Sequence, residues 1–381
     1  MRAIFAAIPA ILLAVTAAPA FADSSSWRPA GSGSDALGGG HPSWRLASSG
    51  PDALGGSRLS WRLADSGSTA RLRGLDVVSA KVAWASGSAG TVLRTVDGGR
   101  TWRQVGPPDT ADLQFRDIEA FSADRAVALP IGEGEASRVY ATSDGGRTWT
   151  ETFRNDDPRA FYDCIAFFDH RRGLALSDPV DGRFRIASTM DGGRSWKVLP
   201  PDRMPDALAG EFAFAASGTC LVTAGPGPWA WFATGGGETA RVFASSDYGR
   251  SWKVSDSPVP SGASAGIYSL AFRDPRHGIA VGGDFAAPTT APDGAATTHD
   301  GGRTWHVARS VPGEYRSGAA WVPWRWNTAL AVGPTGSDVS RDGGRTWTRF
   351  DTGSFDAVDC APDGTCWASG EQGRLARLIR S

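Results

Sequence analysis

The chain alternates short apolar stretches of four to seven residues with polar, Gly-rich breaks. Stretches such as Leu72–Val78, Lys81–Ala85, Thr91–Thr95 and Trp102–Val105 follow one another within a single unit. Short β-rich runs between turn residues predict strands, and few long stretches have a helical period. The pattern then repeats. Six units each carry a turn motif whose Asp falls at Asp97, Asp144, Asp191, Asp247, Asp300 and Asp342, at spacings of 47, 47, 56, 53 and 42 residues. Each motif ends in Trp, at Trp102, Trp149, Trp196, Trp252, Trp305 and Trp347. A period in the 40s with one turn per unit marks a repeat architecture.

Physical chemistry assigns the motif a local role. An Asp at the start of a tight turn accepts bonds from backbone N–H groups further along, and the glycines supply the positive φ the turn needs. The Thr or Ser hydroxyl adds a further local bond, and the Trp lays a large ring on neighbouring strands. Each motif therefore predicts a hairpin turn, with the six Asp and six Trp residues structural.

The pattern Ser/Thr-x-Asp-x-Gly-x-Ser/Thr-Trp resembles the Asp-box, or BNR repeat, of sialidase-superfamily β-propellers. The blade wording, Val82-Ala83-Trp84-Ala85-Ser86-Gly87 before Thr91–Thr95, resembles the photosystem II assembly-factor-like propellers over nearly the whole chain expected to remain after the signal peptide. The resemblance implies an all-β propeller; the strand count makes it a single seven-bladed one of four-stranded antiparallel blades, with six blades as the alternative. In those propellers the box sits on the rim. An arginine-rich patch in the assembly-factor-like proteins is implicated in holding a client's chain terminus.

Blade spans of 71–105, 113–154, 159–199, 209–255, 265–308, 314–350 and 353–381 follow from the spacing. The last has three strands only. The segment 60–66, with Trp61, resembles the strand that follows each box and is expected to supply the fourth. Such closure leaves no open sheet edge.

The N-terminus carries Arg2, an apolar run from Ala3 to Ala18 and Ala20-Phe21-Ala22, which predicts a signal peptide over 1–22. Residues 23–58 are Ser/Gly-rich and predict a disordered linker; Trp27-Arg28 and Trp44-Arg45 within them recur at a spacing of 17 that Trp61-Arg62 of the closing strand continues. The expected location is periplasmic or secreted, with no transmembrane segment in the remaining chain. Export permits disulfides. Cys360 and Cys366 flank a short turn and form the candidate bridge, whereas Cys164 and Cys220 in successive repeats read as buried thiols. Five scattered His residues and no Cys/His spacing imply no metal, and no cofactor is expected. A net charge of −1 argues against nucleic acid. A monomer is expected.

Candidate chemistry lies at the starts of the inner strands, which line a propeller's hub. Aligned on their large apolar residues, they read Leu72-Arg73-Gly74, Phe115-Arg116-Asp117, Phe161-Tyr162-Asp163, Gly210-Glu211-Phe212, Ile267-Tyr268-Ser269, Tyr315-Arg316-Ser317 and Phe355-Asp356-Ala357. Arg73, Arg116 and Arg316 come from blades on one side of the ring, and converging guanidinium forks suit a carboxylate. Tyr162 and Tyr268 offer stacking surfaces, with Asp117, Asp163 and Glu211 beside them. Loop acids Asp178 and Asp181 are candidates for a cation or a general acid. Trp229, Trp231 and Phe232 lie in the stretch 224–239, either as a contact surface or packed over the hub.

Three functions follow. The first is a non-catalytic propeller that binds a protein, a peptide or a small anionic or glycan ligand on this face, as an assembly or stability factor. The second is a sialidase-like glycoside hydrolase, which requires three arginines, a Tyr–Glu pair and an acid. Its Arg-Ile-Pro motif is missing; Phe184-Arg185-Ile186-Ala187 is nearest, and Glu314 beside Tyr315 points to the opposite side of its strand. The third is an oxidoreductase, a label such propellers sometimes carry, which no Rossmann, haem or metal motif supports.

Overall fold

Seven four-stranded antiparallel sheets form in the computed structural model, which describes residues 58–380 apart from Pro226 and Trp324. The expected signal peptide and linker lie outside the described residues, except for Arg58. Six sheets are sequential. Blade 1, for example, orders Leu72–Val77, Ala83–Gly87, Val92–Thr95 and Arg103–Gln104 from hub to rim. The seventh consists of Ala357–Cys360, Cys366–Ser369 and Leu375–Arg380, completed by the N-terminal strand Leu59–Ala64. That strand runs antiparallel to the C-terminal one, from Leu59 opposite Arg380 to Ala64 opposite Leu375. Trp61 fastens it, packing on Phe355 and donating its indole N–H to Ser337 Oγ of blade 6 at 2.9 Å. The chain is an all-β seven-bladed propeller, not a six-bladed one.

The rim turns share one bonding scheme. In the first, Thr95 Oγ1 bonds Asp97 Oδ1 (2.9 Å), and Asp97 accepts from the Thr101 N–H (2.9 Å) and hydroxyl (2.6 Å). Gly98 and Gly99 adopt φ of 77° and 81°. In blade 4 Tyr248 takes the first of these positions at φ 64°, a cost a non-glycine residue seldom accepts. Each box packs against the preceding blade: Trp102 meets Trp367 edge-on, and a Cβ on Gly99 would collide with the same ring.

Apolar clusters accordingly span blade pairs, and the largest joins blades 3 and 4 around Phe184, Phe232 and Phe243. Two disulfides form. Cys360–Cys366 closes the expected hairpin. Cys164 and Cys220 are also bonded, with Cα atoms 6.1 Å apart, correcting the expectation of free thiols. Successive inner strands lie side by side around the hub, so cysteines 56 residues apart in sequence become neighbours.

Candidate functional site

The hub-facing column is set by a recurrent β-bulge. Register slips between Leu72 and Gly74, Phe115 and Asp117, Tyr162 and Cys164, and Ile267 and Ser269. The extra residue is Arg73, Arg116, Asp163 and Tyr268 respectively. Bulges re-aim a side chain at a sheet edge, here at the mouth of the hub. In blades 1, 5 and 6 a glycine of the second strand faces the residue before the bulge position. A Cβ on Gly87, Gly282 or Gly333 would meet Leu72, Ile267 or Arg316 Cα.

That register corrects two of the predicted positions, because a slip of one residue sends a strand side chain to the opposite face. Arg316 occupies the place of Leu72, not of Arg73. It is fully buried in blade 6, where Nε donates to Asp338 Oδ2 at 2.7 Å and Nη1 to Thr335 Oγ1 at 2.9 Å. Tyr162 likewise sits in the blade 3 core, edge-on to Phe153, with burial raising its hydroxyl to about 12. The three-arginine convergence is not formed.

Blade 4 departs further. Its inner strand is Leu221–Thr223, not the stretch beginning near Gly210. Glu211 is committed to a sealed pair with Arg241, whose Nε donates to Oε1 at 2.9 Å, while the Thr234 hydroxyl donates to the same oxygen at 2.6 Å. Trp231 and Phe232 are buried strand residues, and Trp229 packs against the same interior as Trp231. Asp181 lies in the exposed Asp181-Gly182 turn, paired with Arg159 at 2.7 Å.

The residues ahead of the blade 4 strand cross the hub instead. Arg116 of blade 2 donates to the Ala215 carbonyl at 3.1 Å, and Ser217 Oγ donates to Ser317 O of blade 6 at 2.7 Å. Thr219 Oγ1 meets Ser269 Oγ of blade 5 at 2.7 Å. Phe214 stacks on Tyr268 at 3.8 Å, and Tyr315 stands edge-on to Tyr268 at 4.7 Å. The segment 213–219 is thus a plug tethered by hydrogen bonds to three other blades.

Around it the mouth is cationic on one side and aromatic on the other. Arg71 forks onto Asp356 at 2.9 and 2.7 Å, with Arg73 Nε 4.0 Å from the same carboxylate. Burial raises the Tyr268 and Tyr315 hydroxyls, and the Arg73 charge acts on both in the opposite sense. That charge therefore reaches across the mouth from blade 1 toward blades 5 and 6.

Carboxylates line the hub wall. Asp359, Asp76 and Asp117 each accept a backbone N–H from the next blade, at Val77 (2.7 Å), Ala120 (2.8 Å) and Ile165 (2.7 Å). Asp178 accepts from Ala213 in the same way at 2.8 Å. Burial raises all four, Asp178 to about 7, and raises Asp163 beside it, with the Asp178 charge adding to that shift. Asp76, Glu119 and Asp359 went unnoticed in the sequence, although each falls three residues after a bulge-position residue. Among the described residues no three His, Cys, Asp or Glu side chains are placed to hold a metal ion.

No protein-family model matches the chain, and none of the curated proteins does so. Solved structures do. YCF48 bound to D1 peptide aligns at a TM-score of 0.59 and 16% identity, over 86% of this chain and 99% of that one. YCF48 from Cyanidioschyzon merolae gives 0.59 and 17%, over 83% and 98%. The GH74 xyloglucanase from Xanthomonas campestris gives 0.58 and 17%, over 84% of this chain and 53% of the hydrolase. What they share with it is the fold. No described helix is long and apolar enough to cross a membrane.

Proposed function

We propose that this chain is an exported, non-catalytic propeller that binds a peptide segment of a client protein at the plugged hub mouth. Arg73 and Arg116 hold an anionic group of the client, its chain-terminal carboxylate above all, and the Phe214, Tyr268 and Tyr315 rings take an apolar side chain. The observation that carries this reading is the placement of Arg73 and Arg116 at equivalent bulges of adjacent blades, with a peptide carbonyl already on Arg116. Guanidinium groups suit planar carboxylates. The likeness to a propeller solved with a bound peptide supports it, and two disulfides fit an oxidising compartment.

The test is fluorescence anisotropy on peptides recovered from the native envelope with the protein. Free-carboxylate peptides bind at least tenfold tighter than their C-terminal amides, and Arg73→Ala with Arg116→Ala removes the difference. Equal binding of acid and amide forms, or an undiminished difference in the double variant, contradicts the proposal. A glycoside hydrolase is the second reading, favoured by Asp163 and Asp178, two neighbouring acids of which one is raised to about 7. Turnover of a sialoside or xyloglucan panel, lost in Asp178→Asn, would replace the first reading.

A further inference from the structure

Six blades join their third and outer strands through a box turn, and the seventh does not, because its outer strand comes from the N-terminal segment. In each of the six, the turn donates a backbone N–H to the preceding hairpin of its own blade. Gly98, Gly145, Gly192, Tyr248, Gly301 and Gly343 bond the carbonyls of Lys81, Asp124, Arg171, Pro228, Arg276 and Asn327 at 2.8 to 3.0 Å. The matching carbonyl in blade 7 is that of Gly364. Ala361 N–H closes its hairpin on Thr365 O as Val78 does on Val82 and Phe121 on Arg125. Among the described residues no N–H reaches Gly364 O; its neighbour at 3.8 Å is the half-cystine sulfur of Cys366, which has no proton to donate.

A groove of about 710 Å³ opens at this place between blades 6 and 7, lined by Pro323, Arg325, Asp363, Gly364, Leu378 and Arg380. Arg325 and Arg380 are exposed and have no ion pair among the described residues. Arg341 stands beside them, since the next turn residues bond the 325–327 loop through Gly343 N–H and Asn327 O. Asp363 lines the groove too and stays anionic, its oxygens accepting the Ala80 N–H (2.6 Å) and the Thr365 N–H (2.9 Å), so the groove carries two arginines against one carboxylate. Burial, and then the charges of Arg325 and Arg341, lower the Arg380 guanidinium, consistent with like charges crowded together.

We infer that this groove is a second docking site, and that its occupant is an acidic turn of a partner protein. The turn's N–H completes the bond at Gly364 O, and its carboxylates lie on Arg325 and Arg380. The shape argues for a peptide rather than a phosphate or lipid headgroup: the equivalent place in six blades is filled by an Asp-Gly-Gly or Asp-Tyr-Gly turn. Charge complementarity supplies the rest.

The test uses the full chain and a fluorescein-labelled, C-terminally amidated peptide with a Glu-flanked Asp-Gly-Gly turn, which lacks the chain-terminal carboxylate the hub is proposed to hold. Arg325→Gln with Arg380→Gln weakens binding about tenfold. Arg103→Gln with Arg147→Gln, an exposed pair elsewhere, controls for net charge and changes it less than threefold, as does Arg73→Gln with Arg116→Gln at the hub. The inference fails if the groove variant loses less than threefold or if the control pair loses as much. It also fails if the hub variant is the one that loses affinity, or if tripolyphosphate or phosphatidylglycerol vesicles occupy the groove more tightly than the peptide.

Discussion

The rim and the hub use the same residue, aspartate, in opposite ways. At the rim, Asp97 and Asp144 sit in water and accept bonds from the Thr hydroxyl and N–H four residues on, which hold each carboxyl down at about 2. At the hub, burial pushes Asp117, Asp163 and Asp178 up. The rim scheme is local, spans five residues and recurs six times almost unchanged. The hub scheme is non-local, with carboxylates reaching from one blade to the next, and each blade contributes something different. Repetition along this chain therefore marks framework, and departure from the repeat marks the buried pairs, the plug and the proposed binding mouth.

The largest expected effect breaks a lock. Arg316→Met leaves Asp338 buried without its partner and costs about 3–5 kcal/mol in denaturant unfolding. Adding Asp338→Leu recovers most of it. A loss below about 1 kcal/mol for the single variant would mean that Arg316 is free to face the hub, contrary to its burial. Next come the cross-links. Replacing Cys164 and Cys220 by Ser opens a loop with a separation of 56 residues, an entropic loss of about 4 kcal/mol. The same change at Cys360 and Cys366, six residues apart, costs about 2 kcal/mol. Equal losses in thermal melts would place the cross-link's contribution elsewhere than in the unfolded chain.

A rim turn is worth less. Asp247→Ala removes bonds to the Ser251 N–H (2.9 Å) and hydroxyl (2.6 Å) and costs about 1–2 kcal/mol, with peptide binding unchanged. Finest of all is the pH dependence, where the two regions oppose each other. Rim carboxyls held at about 2, against 3.8 unfolded, stabilise the fold above about pH 4, and this is lost as pH falls toward 2. Asp178, raised to about 7, takes up a proton on folding, so its contribution falls as pH rises from about 4 to 7 and is constant beyond. Asp178→Asn keeps an oxygen for the Ala213 N–H and flattens that slope in denaturant midpoints measured across the range. A slope identical to wild type would show that Asp178 is ionised in the folded chain at pH 5.

The seven blades, the box turns, the N-terminal strand that closes the ring and the hairpin bridge at Cys360 were legible because each rests on residues close in sequence or on a periodic count. The hub was legible in four blades. Arg73, Arg116, Tyr268 and Asp356 follow an apolar residue that marks the strand start, and the alignment holds there. It failed by one residue at Tyr162 and Arg316, where Phe161 and Tyr315 mimic that marker one place early. In blade 6 Gly333, opposite Arg316, carried the missing register signal; in blade 3 Ser177 stands opposite Tyr162 and no glycine marks the place. Blade 4 was illegible for a different reason. Its Glu211–Arg241 pair and its plug depend on contacts 30 to 100 residues away, which no local pattern announces. The Cys164–Cys220 bond shares that property.

The most direct test of the division between rim and hub is one peptide affinity measured in two variants of similar fold. A free-carboxylate client peptide should bind Asp247→Ala as it binds wild type, and should bind Arg73→Gln with Arg116→Gln at least tenfold more weakly. Affinity lost at Asp247→Ala and kept in the arginine variant would reverse the assignment.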